Sequence, residues 1–232
     1  MKFYYNITSQ PSRTIKFILD KTGVQYDSES IEFITGTRSE QFKKNVNKRG
    51  KVPVLEVDGE MMVESGAISR YLLDSLEADE TLLSRSDLKK RSQVESWLDI
   101  NGSIYRPDFT DAYQKIKLSS IMMGTPKPSE EECKKLMSKV DASLKDLDGN
   151  LDGKSFLTGD DMTIADIQIY FEIVNVSTIL QLGLNEYPNI LTWRAKIAED
   201  PTVSKLVAEF FEEISKMKEK FEAKAEEDAK KA

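Results

Sequence analysis

The chain has 232 residues, 39% hydrophobic and 31% charged, and its formal net charge of −7 argues against a nucleic-acid partner, which needs a basic face. With no histidine and one cysteine, it cannot hold a Ser-His-Asp or Cys-His catalytic group, a disulfide framework or a histidine–thiolate zinc site, and we expect no metal. No apolar run approaches the roughly 18 residues of a membrane span, and the N-terminus carries no secretory signal pattern, so the sequence predicts a cytoplasmic protein of one or two domains without a membrane span.

The first predicted strand, residues 2–5, is followed by a polar turn and by a helix that Pro11 opens. Proline suits the first helical position because the N–H that it lacks would have no partner inside the helix. Ser9 therefore lies at the N-terminus of this helix, where free backbone N–H groups and the helix dipole favour an anion. A sulfur nucleophile would be held there as a thiolate. Because Cys133 is far away along the chain, the sulfur would come from a ligand.

This first helix has apolar residues at i, i+3 and i+4, and we expect it to end near Gly23. Residues 24–26 are predicted to form a second strand. The polar, lysine-rich stretch 35–51 follows, with a helical turn near Phe42 as its single periodic feature.

The clearest local pattern is a β-hairpin. Residues 52–57 and 60–63 predict two strands, and Asp58-Gly59 is typical of the tight turn between them. Pro53 cannot donate to a sheet ladder, so this end lies at an edge or a bulge, or its peptide bond is cis. A helix is predicted from Ser65, with one apolar face made of Ile68, Tyr71 and Leu72. The first 77 residues thus predict β-α-β followed by β-β-α.

Residues 78–86 carry no strong pattern and are predicted to link residues 1–77 to an all-helical domain over residues 87–214. The first long helix of that domain has an apolar stripe that Pro107 is expected to end: Val94, Trp97, Leu98, Ile104 and Tyr105. Capping boxes begin two later helices, at Ser129 to Glu132 and at Thr163 to Asp166, and we interpret Thr163 and Asp166 as folding determinants. The mixed-charge segment 215–232 is predicted to be a solvated helix or a disordered end.

Five motifs, in this order and spacing, resemble those of the soluble glutathione transferases, most closely the theta class. They are Ser9-Gln10-Pro11-Ser12-Arg13, Lys51-Val52-Pro53, Glu64-Ser65, the pair Phe156 to Gly159 and Thr163 to Asp166, and Tyr187-Pro188-Asn189 with Trp193 and Asp200-Pro201. The resemblance extends over nearly the whole chain except the tail. It implies a thioredoxin-like α/β N-terminal domain (βαβ–ββα), an all-α C-terminal domain, and a homodimeric detoxification enzyme that conjugates glutathione to small electrophiles.

The resemblance also assigns roles to individual residues. Ser9 would be the catalytic residue, donating a hydrogen bond to the glutathione sulfur. The remaining glutathione contacts would come from Arg38, Lys51, Val52, Pro53, Glu64 and Ser65. The electrophile pocket would contain Tyr105, Arg106 and Phe109, with Arg106 assisting a leaving group or the glutathione anion. Glutathione would be the co-substrate, and no other cofactor is implied.

Other readings of the first turn stay open. Ser9 can serve as an ordinary helix N-cap, and Thr8 and Ser12 are competing hydroxyls. Tyr4 and Tyr5 correspond to the strand-end tyrosine that other classes of the family use, but they come early in the strand, and we interpret them as sheet or core residues.

The sequence also departs from the theta-type pattern. The loop before Lys51 reads Asn47-Lys48-Arg49-Gly50, where the family usually has Asn-Pro, so its shape is not predicted. Ser103 takes the place of a carboxylate that the family often borrows from the neighbouring subunit, with Asp99 one turn earlier as a substitute. Arg106 can be a solvated helix-end arginine, and Arg70 a dimer-interface residue or a surface ion-pair partner.

The function is therefore predicted to be glutathione conjugation, with a non-catalytic protein-interaction or ligand-carrier module on the same fold as the alternative. In that alternative the charged tail would be a linker or a partner-binding segment. Thiol-disulfide reductase chemistry is disfavoured, because serine cannot form a mixed disulfide.

Overall fold

The computed structural model describes residues 1–33, 35–119 and 124–231, with side chains up to residue 220. Its sheet consists of β1 (Lys2–Tyr5), β2 (Asp27–Ser30), β3 (Val54–Val57) and β4 (Glu60–Val63) in the order β2-β1-β3-β4. Strand β1 runs parallel to β2 and antiparallel to β3, which in turn runs antiparallel to β4. Helices α1 (Gln10–Thr22), α2 (Glu40–Asn45) and α3 (Ser65–Ser75) complete the region and confirm the predicted β-α-β and β-β-α order.

Turn and cap residues account for several of these element boundaries. Gly23 ends α1 in the left-handed region, with φ of 67°, and its N–H donates to Asp20 O. The hairpin turn has φ of 51° at Asp58 and 84° at Gly59, as the tight turn between twisted strands requires. The Val52–Pro53 peptide bond is cis, in agreement with the resemblance.

Two predictions in this region were wrong. The second strand is not residues 24–26 but Asp27–Ser30, whose side chains are all exposed and therefore show no apolar alternation. This strand is defined by its pairing with β1, while Tyr26 packs against the core just before it. Tyr71 does not join the buried face of α3, since it is 37% exposed and Leu73 is buried instead.

The helical region begins with α4 (Leu88–Ile100). The prediction that Pro107 ends this helix was wrong, because the helical conformation continues past the proline. A π-helical segment (Asn101–Tyr105) continues directly into α5 (Arg106–Tyr113), and a second one (Gln114–Leu118) follows. In the first π turn the Arg106 N–H donates to Asn101 O, five residues back, so the regular ladder is already shifted where the proline lies. Pro107 then occupies the first turn of α5, where its missing N–H is tolerated.

The described residues that follow form four further helices, α6 (Glu130–Asn150), α7 (Ile164–Leu180), α8 (Pro188–Ala198) and α9 (Pro201–Lys231). Both predicted capping boxes are present, at Ser129 with Glu132 and at Thr163 with Asp166. The segment predicted as a tail, residues 215–232, is helical as far as Lys231. The side chains from residue 221 onwards, and the whole of Ala232, lie outside the described part of the chain.

The larger of two hydrophobic clusters among the described residues extends through both regions and is called the core below. Helix α1 packs against α3, α7 and α9, and α7 is buried along almost its whole length. The core also holds the Arg13 side chain, which is fully buried over the rings of Phe171 (5.0 Å) and Phe210 (4.2 Å). The boundary at residues 78–86 stays a prediction, and the core is continuous across it. Within the described residues, no helix has the length and apolarity that crossing a membrane requires.

Candidate active site

A cleft between the sheet region and the helices contains two adjoining cavities. The first chamber, about 460 Å³, lies beside the N-terminus of α3 and includes Glu64, Ser65 and Arg70 in its lining. The second chamber, about 400 Å³, lies beside the turn that precedes α1. Lys51, Val52 and Arg106 line both chambers. A ligand that extends from one chamber to the other would therefore pass these three residues.

The first chamber has the features of a site for a group with both a carboxylate and an ammonium. Helix α3 starts at Ser65, so its free backbone N–H groups and the positive end of its dipole favour an anion there. Glu64 precedes it with φ of 71°, a conformation that is uncommon for a residue other than glycine. Strained backbone of this kind clusters at functional sites. Glu64, Ser65 and the cis Val52–Pro53 segment thus come together as the resemblance implied.

The loop whose shape the sequence left open is held by Asn47. The Asn47 Nδ2 atom donates to Lys51 O at 2.8 Å, and its Oδ1 atom accepts from the Arg49 N–H at 3.1 Å. Gly50 has φ of 62°, and a Cβ atom there would lie 2.8 Å from the carbonyl oxygen of Thr37. This close approach places Lys51 at the junction of the two chambers. Arg38 lines the second chamber but not the first.

Ser9 occupies the N-cap position of α1, but its side chain makes no capping hydrogen bond. The residue is 8% exposed and lines the second chamber. Thr8 is committed elsewhere, because its Oγ1 atom donates to Asn6 Oδ1 at 2.6 Å. Ser12 is fully buried, and its Oγ atom accepts from the Asn6 N–H at 3.5 Å. Among the three hydroxyls, the one of Ser9 is the best placed to contact a ligand.

The two strand tyrosines, Tyr4 and Tyr5, lie away from the second chamber, which contains Ser9 in its lining. Tyr4 donates to Glu56 Oε2 at 3.0 Å, and Tyr5 stacks on Phe3 with ring centroids 5.2 Å apart. Neither residue lines either chamber. Their interpretation as sheet or core residues agrees with these contacts.

Of the three predicted pocket residues, Arg106 lines the cleft, whereas Tyr105 and Phe109 do not. Both aromatic residues are fully buried in the core, where their rings stack 6.1 Å apart and the Tyr105 hydroxyl donates to Asp146 at 2.5 Å. The physical reason is helix periodicity. The cleft face of α5 carries Arg106, Thr110 and Tyr113. The residues that precede Arg106 and Thr110 point about 100° away from this face, towards the core.

Most of the second chamber's wall was not predicted from the sequence. Besides the predicted residues, the wall includes Phe33, Thr110, Tyr113, Gln114, Leu118, Ile179, Ile214 and Met217. Spacing of i, i+4 and i+7 from Arg106 was the available signal for Thr110 and Tyr113. Met217 had no such signal, because it lies inside the mixed-charge segment that looked like a solvated tail.

Arg70 forms ion pairs within its own chain, in agreement with the surface ion-pair interpretation. Its Nε atom is 3.3 Å from Glu95 Oε1, and its Nη2 atom is 3.6 Å from Asp99 Oδ1. The Ser103 hydroxyl donates to the backbone oxygen of Asp99 at 2.7 Å. Arg70 and Asp99 also line the first chamber, so charged side chains of both signs surround it.

Comparison with known proteins gives matches over both regions. The family model of the glutathione S-transferase N-terminal domain matches residues 1–74, and that of the C-terminal domain matches residues 109–201, together more than half of the chain. Glutathione S-transferase theta-3 of Mus musculus is 26% identical over 198 residues, covering 85% of this chain and 81% of the relative. Glutathione S-transferase theta-2 of Rattus norvegicus is 27% identical over 201 residues, covering 85% and 80%. The apo form of human glutathione-S-transferase T1-1 has the same fold, with a TM-score of 0.83 at 24% identity over 92% of this chain and 88% of the other.

Proposed function

Because the chain belongs to the glutathione S-transferase family, we propose that it conjugates glutathione to small electrophiles and that Ser9 activates the thiol. The observation that carries this proposal is the Ser9 hydroxyl: it stands at the N-terminus of α1, lines the cleft and makes no capping bond. The hydroxyl oxygen of an ordinary N-cap serine accepts a hydrogen bond from a backbone N–H of the helix, as Ser129 Oγ does from the Glu132 N–H.

Glutathione fits the cleft in one direction. Its γ-glutamyl carboxylate meets the N-terminus of α3 at Ser65, and its ammonium meets Glu64. The backbone of Val52 pairs with the cysteinyl unit as an added strand. Lys51 and Arg38 receive the glycyl carboxylate. The sulfur then lies towards the second chamber, where Ser9 is found.

The available interactions are large enough to ionise the thiol. A free thiol titrates near ~8.5, and lowering its pKa by about 2 units takes roughly 2.7 kcal/mol of preferential thiolate stabilisation. One hydrogen bond to a charged group supplies about 1.5–3 kcal/mol. The helix N-terminus adds up to ~1 kcal/mol. Ser9 and the start of α1 are therefore sufficient together.

The second chamber takes the electrophile. Apolar side chains from four segments (Phe33, Leu118, Ile179, Ile214 and Met217) provide an apolar wall, and Arg106 supplies a positive charge at its junction with the first chamber. The thiolate sulfur forms a bond to carbon with its electron pair. The leaving group departs with the pair of the broken bond, or, in an addition, the pair ends on an acceptor atom that is then protonated.

We further propose that the protein acts as a homodimer in the cytoplasm, in a detoxification role. Large hydrophobic side chains of the segment from α3 to the first π turn are exposed, with Leu88 at 74% and Ile104 at 48%, which supports a second copy as partner. The single cysteine, Cys133, supports a reducing compartment.

The test is an ultraviolet titration of the thiolate band of glutathione bound to the wild-type protein, followed by turnover with an activated aryl chloride. We expect a bound thiol pKa about 2 units below that of free glutathione, together with conjugate formation. Binding with an unshifted thiol and no turnover would favour the ligand-carrier alternative. No binding at all would refute glutathione as the ligand.

A further inference from the structure

Glu172, on α7 beneath the cleft, is a buried carboxylate whose hydrogen-bonding capacity is incompletely used. It is fully buried, its Oε2 atom accepts from Gln10 Nε2 at 2.5 Å, and its Oε1 atom has no hydrogen-bond partner within the described structure. The Oε1 atom forms an ion pair with Arg106, whose Nη1 atom lies 3.7 Å away, beyond hydrogen-bond distance. Burial raises the pKa of Glu172, and four groups act against that rise, in decreasing order Arg106, Gln10, Arg13 and Asn101.

A second buried carboxylate on the same helix shows what a purely structural arrangement looks like. Asp166 Oδ1 accepts from Leu157 N–H and Trp193 Nε1–H, and Oδ2 accepts from the N–H and hydroxyl of Thr163, all at 2.7–2.9 Å. Both Asp166 oxygens are thus saturated by fold-forming groups. Glu172, in contrast, is directed at two residues of the cleft wall.

Those two residues connect Glu172 to both halves of the candidate site. Gln10 directly follows Ser9, and its Nε2 atom also donates to the Tyr113 hydroxyl at 3.1 Å, on the wall of the second chamber. Arg106 lines both chambers, and its side chain is 35% exposed, so part of its guanidinium remains available to a ligand.

One turn further along α7, Asn175 supports the same turn from below. Its Nδ2 atom donates to Thr8 O at 3.0 Å, and its Oδ1 atom accepts from the buried Arg13. Residues three apart on a helix share a face, so Glu172 and Asn175 hold the Ser9 turn and Arg106 from one surface. A buried ion pair adds little net stability to a fold, and its main effect here is therefore on geometry.

We propose that Glu172 is a positioning residue of the cleft, which fixes Arg106 at the junction of the two chambers relative to the Ser9 turn through its contacts with Arg106 and Gln10. This inference rests on the proposed function. Arg106 then presents its free N–H groups to the charge that develops on the electrophile, and a rotation away from that place would lower turnover more than glutathione binding.

A double-mutant cycle with Glu172→Gln and Arg106→Gln tests this role, with glutathione and an activated aryl chloride as substrates. Glu172→Gln should lower kcat about tenfold, a part of the roughly 100-fold that a 1 Å misplacement of a reacting group can cost. The KM for glutathione should stay within about threefold. In the Arg106→Gln background the same substitution should change kcat less than about twofold, since coupled residues are not additive.

The controls separate this role from a folding role. Asp166→Asn should lower the unfolding temperature and leave kcat per folded molecule within about twofold, as its partners all belong to the fold. If Glu172→Gln does not fold, Glu172→Asp, which keeps the charge and shortens its reach, replaces it in the cycle. Equal losses of kcat in both backgrounds, or an unchanged kcat in Glu172→Gln, would overturn the positioning role. A wild-type protein without turnover would instead remove the proposed function, and this inference with it.

Discussion

Replacing Ser9 by alanine should raise the pKa of the bound glutathione thiol and leave the stability of the protein nearly unchanged. The hydroxyl of Ser9 makes no capping bond, so its loss should change the free energy of unfolding by less than about 0.5 kcal/mol, against ~1 kcal/mol for an ordinary N-cap. Loss of a hydrogen bond to the thiolate removes about 1.5–3 kcal/mol. At 1.36 kcal/mol per unit, the thiol pKa should rise by about 1–2 units.

Ser129→Ala is the matched control, since it is the same substitution at an N-cap that does bind its helix. Ser129 Oγ accepts from the Glu132 N–H at 3.3 Å, within a reciprocal capping box remote from the cleft lining. This variant should lose about 1 kcal/mol of stability and keep the thiol pKa of the wild type. The thiolate band is titrated against pH for all three proteins, and urea unfolding gives their stabilities.

Two results would refute the reasoning. An unchanged thiol pKa in Ser9→Ala would show that another group ionises the thiol, and Thr8 and Ser12 would then be tested in turn. A stability loss in Ser9→Ala as large as that in Ser129→Ala would show that Ser9 is an ordinary N-cap, contrary to the geometry described above.

Three further outcomes are expected. Gly50→Ala should weaken glutathione binding severalfold in calorimetry, because the new Cβ atom would lie 2.8 Å from Thr37 O. Gly23 also has a positive φ but open space around it, so Gly23→Ala should cost only about 1 kcal/mol of stability and bind glutathione normally. Equal glutathione binding by the two variants would contradict the loop argument. Burial alone would raise the pKa of Asp200, but Lys21 and two backbone N–H groups outweigh burial and lower the pKa. Asp200→Asn should therefore be less stable than the wild type above about pH 4, and the difference in unfolding free energy should vanish at lower pH. A difference that does not depend on pH would exclude this linkage. Met217→Ala should raise the KM for an apolar electrophile roughly fivefold, because about 1 kcal/mol of apolar contact is lost, and it should leave the KM for glutathione unchanged. A parallel rise in both KM values would show that α9 does not form a separate wall for the electrophile.

The elements predicted correctly from the sequence are those whose cause is local. Proline at the first turn of α1, glycine at its end, Asp58-Gly59 in the hairpin and the two capping boxes each act within a few residues. Strand β2 has no such cause, because its exposed residues become a strand through pairing with β1. The helix through Pro107 continues because the preceding π turn removes the conflict that the sequence alone predicts.

The candidate site divides in the same way. Ser9, Lys51, Val52, Pro53, Glu64 and Ser65 lie in motifs that the sequence displays, and all of them line the cleft. Tyr105 and Phe109 were misplaced because one residue of register on a helix changes the direction of a side chain by about 100°. Glu172 could not be found at all, since its partner Gln10 is 162 positions away in the chain.

The burial of Arg13 has a consequence for how proteins with this architecture can be divided. Its guanidinium belongs to the first helix and donates to Ile7 O at 2.8 Å in the same half of the chain. Its other acceptors, Phe171 O and Asn175 Oδ1, and its two ring partners, Phe171 and Phe210, belong to helices from the far half. A fragment ending at residue 77 would lose two of the three Arg13 acceptors and both ring partners, and it would expose to water the apolar face of α1 that packs against α7 and α9. The N-terminal half is thus an architectural unit but not an autonomous folding unit. Recombination that moved it between genes would have to carry a compatible α7 along with it.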